Sequence, residues 1–69
     1  MAHALAWDLL QRYREHEAEL NVLMVIDREQ REQLSAELKS ALDFKLAMNR
    51  AAMGEISDVM ARRRLHIVG

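Results

Sequence analysis

Ala6, Leu9, Tyr13, His16, Leu20 and Leu23 follow one another at alternating steps of three and four. At about 100° per residue, that spacing lines one side of an α-helix. Leu5, Leu10 and Met24 widen the stripe, while Gln11, Arg12, Arg14, Glu15, Glu19 and Asn21 fall mostly off it. The pattern predicts a first helix over about residues 3–24.

A helix-start signal follows. Asp27 is a residue type that caps orphan helix amides, and Gln30 stands three positions later in capping-box register. Glu29 and Glu32 suit the positive end of a helix dipole. The alternative is a continuous helix in which Asp27 is an ordinary exposed residue. With the break near residues 25–28, a second helix runs over about residues 28–62. Its apolar arc holds Leu34, Leu38, Ala41, Leu42, Met48, Ala52, Met53, Ile56, Val59 and Met60, within roughly 160°. Opposite lie Ala36, Lys39, Ser40, Asp43, Arg50, Ser57 and Asp58. Lys45 and Asn49 project into the apolar arc, and Glu55 sits at its edge. Either Lys45 snorkels and Asn49 takes a rim position, or both face a partner and fix its register.

These lengths constrain the assembly. The second helix would run about 54 Å and the first only about 33 Å. A lone hairpin would leave Ile56, Val59 and Met60 uncovered, together with Leu65 and Ile67. Either the second helix bends near Gly54, or another chain covers the end. The expected fold is all-α: a single-domain, two-helix antiparallel hairpin with a long second helix, dimerising into a helical bundle. Residues 65–69 are expected to form a frayed tail.

Composition supports helices and narrows the chemistry. The 69 residues include no proline, no cysteine and two glycines, Gly54 and Gly69. The turn clusters that strand proteins need are therefore missing, as are disulfides and thiolate metal sites. A hydrophobic fraction of 51% is too high for a disordered tail. The longest apolar run, Val22 to Ile26, is too short to span a bilayer. The N-terminus has no basic region leading into a long apolar core, so a cytoplasmic protein is expected.

No catalytic constellation emerges. His3, His16 and His66 lack the His-Glu-x-x-His spacing that sets two ligands on one helical face. His16 reads as a partly buried or titratable seam residue. Ser35, Ser40 and Ser57 lie within helical pattern, and no glycine-rich loop could cradle a phosphate. Glu29, Glu32, Glu37 and Asp43 read as a solvated face beside Arg28, Arg31 and Lys39. The expectation is a protein that is not an enzyme and uses no cofactor or metal.

Two kinds of partner fit the residues. Met24, Met48, Met53 and Met60 are flexible and polarizable, as on surfaces that accept other helices, although methionine also fills cores. The expected protein-binding face comprises Leu38, Leu42, Lys45, Met48, Asn49, Met53, Ile56 and Met60. The alternative is a small dimeric nucleic-acid-binding protein or transcription modulator using Arg62, Arg63 and Arg64. The net charge of −1 and only three aromatics, Trp7, Tyr13 and Phe44, argue against that reading. A structural subunit of a larger assembly is a third option.

Ala6-Trp7-Asp8-Leu9-Leu10 opens one helix, and Leu38-Lys39-Ser40-Ala41-Leu42-Asp43-Phe44-Lys45-Leu46-Ala47-Met48 begins a long second one. The second continues through Glu55-Ile56-Ser57-Asp58-Val59-Met60. Over about residues 7–62 this resembles the small helical chaperones of flagellar and type III export, of the FliT/FlgN kind. The resemblance implies a chaperone or adaptor that masks an apolar helix of a client protein. Leu38, Leu42, Met48, Met53 and Ile56 would form the client groove. The chain is shorter than usual for that family, and a leading helix and a regulatory C-terminal helix are not expected here.

Overall fold

The computed structural model describes residues 2–63, with side chains from residue 6 onward. Helix α1 spans Ala2–Gln30, a 3₁₀ turn spans Arg31–Gln33, and helix α2 spans Ala36–Arg62. No strand occurs among the described residues. The helices pack antiparallel along their lengths into a rod of 47 × 17 × 14 Å. Arg64 and the 65–69 tail lie outside the described residues.

The break falls later than the capping signal implied. Asp27 lies within α1, where its carboxylate pairs with Arg31 one turn on, at 2.8 Å. That i, i+4 contact supports helix at the point where a cap would have ended it. The working cap is Ser35. Its extended backbone (φ −65°, ψ 164°) stops the preceding segment, and its Oγ accepts from the Leu38 N–H at 3.2 Å. Leu34 is extended as well (ψ 149°), after the 3₁₀ turn has tightened the end of α1. Ser35 therefore lies outside the helical interior in which the sequence pattern placed it.

This shift makes the helices nearly equal, at 29 and 27 residues. The expected overhang disappears. Met60, near the far end of α2, is only 2% exposed, and Ile56 and Val59 are half-buried. The protomer thus covers Ile56, Val59 and Met60 itself, contrary to the length argument, while Leu65 and Ile67 lie outside the described residues. Helix α2 runs through Gly54 without a break.

The core is thin because a hairpin one helix deep covers each helix from one side only. Leu42, Leu46, Asn49 and Met60 are the buried residues among those described. With half-buried Met53 and Ile56 they form a row at steps of 4, 3, 4, 3 and 4. Opposite them, α1 presents half-buried Ala6, Leu9, Tyr13, His16, Leu20 and Leu23, the stripe its spacing predicts.

Candidate functional site

Helix α2 carries two apolar rows, where the sequence reading had one broad arc. The inner row is the one facing α1. The outer row is Ala41, Phe44, Met48, Ala51 and Ala52, with Val59 beyond Glu55. Ala41, Met48, Ala52 and Val59 each immediately precede a residue of the inner row. They therefore lie about 100° round the helix from it. Phe44 is 65% exposed and Met48 55%, and Ala41 and Ala51 are exposed too. From Ala41 to Ala52 the one charged residue on this side is exposed Lys45, which precedes Leu46 and sits at the edge toward the inner row.

The expected protein-binding face is accordingly divided. Leu42, Asn49 and Met60 are buried against α1, and Met53 and Ile56 are half-buried there. Leu38, Lys45 and Met48 are exposed. The client groove implied by family resemblance is therefore not assembled in this hairpin, since three of its five residues serve the internal seam. Leu46, overlooked in the sequence pattern, is among the most buried side chains. Its signal was present in the steps from Leu42 to Leu46 to Asn49. Phe44, the most exposed large apolar residue, was likewise not placed on a face.

Asn49 is neither at a rim nor turned outward. It is 3% exposed and fully hydrogen-bonded, twice across the seam and once to its own helix. Its Nδ2 donates to Glu19 Oε2 at 2.6 Å and to the Lys45 carbonyl at 3.0 Å. That leaves Oδ1 for His16, whose Nδ1 lies 2.8 Å away and so must carry the hydrogen. His16 is half-buried at the helix seam, as its spacing suggested. No buried side-chain polar atom lacks a partner among the described residues.

A second polar device closes the hairpin at its turn. Arg31 donates to both Asp43 oxygens, at 2.7 and 3.0 Å, and also to Asp27 at 2.8 Å. The forked geometry ties the end of α1 and the connector to the second turn of α2. Hydrogen bonding to Asp43, then to Asp27, holds the Arg31 guanidinium above its ordinary value. The same Arg31 contact holds the Asp43 carboxyl below the usual carboxylate range.

Arg62 and Arg63 are exposed at the C-terminal end of α2, where positive charge complements the helix dipole. Among the described residues no group of acidic, histidine or cysteine side chains could hold a metal ion. No described helix is long and apolar enough to cross a membrane. No protein-family model, curated protein or solved structure matches the chain.

Proposed function

We propose that this chain is a non-catalytic helical interaction module, whose outer row on α2 is the face presented to another helical protein surface. The observation that carries this reading is the exposure of Phe44 and Met48 on an apolar strip about three turns long, with Lys45 at its edge. Aromatic and methionine side chains are the types that dominate buried interface centres. Small Ala41, Ala51 and Ala52 on either side of them let a partner backbone approach closely. The opposite side of α1 offers a weaker candidate. Trp7, Val22 and Val25 are exposed there but are interrupted by Gln11, Arg14 and Asn21.

Masking an apolar client helix, as an export chaperone does, is one form this activity would take. Leu38, Met48 and Phe44 would then make the contacts. Nucleic-acid binding has less behind it, because two exposed arginines near Glu55 and Asp58 neutralise few phosphates.

The test is a photoreactive benzophenone side chain placed at Phe44 in the cell of origin, with the same group at exposed Arg12 as control. The expected result is a discrete adduct from position 44 and none from position 12. Equal labelling from both positions, or none, would contradict the reading.

A further inference from the structure

We infer that the occupant of the outer row is a second copy of this chain, docked α2 against α2 in antiparallel sense to complete a four-helix bundle. This rests on the interaction-module reading and names its partner.

Three observations point to self-association. First, the chain exposes 5521 Å². A compact folded monomer of 8.0 kDa exposes only about 4,450 Å². The excess of roughly 1,100 Å² is on the scale of the about 800 Å² per partner that a standard interface removes. Second, the radius of gyration is 14.7 Å, against about 11 Å for a compact chain of this length. Side-by-side docking of two rods thickens the body without lengthening it.

Third, charge selects both the partner and its direction. Glu37 and Arg62 lie at opposite ends of α2, on the same flank of the outer row as Phe44. Among the described residues neither makes an ion pair within the chain. An antiparallel two-fold axis passing beside Asn49 and Arg50 sets Glu37 of each copy opposite Arg62 of the other. The same register sets each Met48 against Ala51 of the other copy, large against small, and brings each Phe44 level with Glu55, so the apolar contact centres on Met48 and Ala51. A parallel pairing would instead bring Glu37 to Glu37 and Arg62 to Arg62, which like-charge repulsion disfavours. An isologous contact of this kind closes on itself and leaves no open end.

Sedimentation equilibrium on the full chain tests the proposal, with helicity followed in parallel. The wild type is expected at twice 8.0 kDa at high concentration, returning to 8.0 kDa on dilution. Phe44→Glu with Met48→Glu is expected to stay at the single-chain mass, whereas Val22→Glu on the far side of α1 leaves the dimer intact. Should the double variant lose its helicity, charge exchange decides instead. Glu37→Arg is expected to weaken association roughly three- to thirtyfold, and adding Arg62→Glu to restore it. A wild-type chain that remains at 8.0 kDa at every concentration overturns the inference. So does a dimer indifferent to both sets of changes. The benzophenone adduct at position 44 separates the two claims. An adduct of another mass removes the second copy and keeps the interaction face, and no adduct removes both.

Discussion

His16 and Asn49 are 33 positions apart in the chain, yet His16 Nδ1 lies 2.8 Å from Asn49 Oδ1. That contact sets the height at which the two helices meet. It aligns Leu23 with Leu42, Tyr13 with the turn at Met53, and Leu9 with Ile56. A helical row of apolar side chains tolerates slippage by a turn, since Leu can replace Leu with little loss. A buried amide with three partners does not, because slipping would strand its donors and acceptor without water.

Asn49→Ala should therefore destabilise the hairpin by about 1–2 kcal/mol, through the loss of two cross-helix hydrogen bonds and of a buried side chain. Asn49→Leu should cost much less, because an apolar side chain of similar size fills the seam. That variant is expected to lose a single register, seen as broadened or doubled amide resonances. A sharp single spectrum for Asn49→Leu would show that packing alone sets the alignment.

Core and surface leucines of α2 should separate cleanly. Leu46→Ala removes a side chain that is 6% exposed and should cost about 2–3 kcal/mol. Leu38→Ala, at 55% exposed, should cost well under about 1 kcal/mol. Urea midpoints at fixed protein concentration give both values. Equal costs would contradict the placement of the inner row.

Gly54 sits in the interior of α2, and a β-carbon added there would meet nothing within 4 Å. Gly54→Ala should stabilise by up to about 1 kcal/mol, chiefly by narrowing the unfolded ensemble. On a chain of this size that corresponds to a rise in Tm of roughly 4–8 °C, measurable by circular dichroism. An unchanged or lower Tm would mean that the helix needs glycine there.

The Arg31–Asp43 contact predicts a stability loss on the acid side. Asp43 titrates below its ordinary value in the folded chain, so its contribution is present above about pH 4 and disappears as pH falls through the lower folded value. Arg31 is shifted upward and stays protonated throughout the neutral and acid range, so within this pair it is Asp43 that switches the contact off. Both groups are exposed and the effect is small and salt-sensitive. Asp43→Asn should flatten the dependence of Tm on pH below about 4, and an unaltered slope would remove this pair from the account.

The helical class and the inner stripe of α1 were legible in the sequence, because alternating steps of three and four leave little choice once proline and turn clusters are missing. The break was misplaced because two cap signals compete. Asp27 is a good cap residue by type, but Arg31 four positions later makes it a helix-interior ion-pair partner, and Ser35 takes the role. Moving the break by a few residues converts a supposed overhang into a covered end, which is how Met60 changed from exposed ridge to core. The face of α2 was misread for a related reason. An arc as broad as 160° merges rows about 100° apart, and only the position of α1 tells Leu42 and Leu46 from Ala41 and Met48. The Arg31–Asp43 clamp depends on how the chain reverses, so no linear spacing announced it.

Methionine oxidation tests most directly the claim that α2 has one apolar row for its own hairpin and another for a second chain. Met60 is 2% exposed and Met48 55%, with Met24 on α1 at 46% as an internal reference. Brief peroxide treatment followed by peptide mass analysis gives all three rates in one sample. At high dilution Met48 and Met24 should oxidise quickly and Met60 slowly. As concentration rises, Met48 should become protected while Met24 stays reactive. Met48 reacting as fast as Met24 at every concentration would contradict the account.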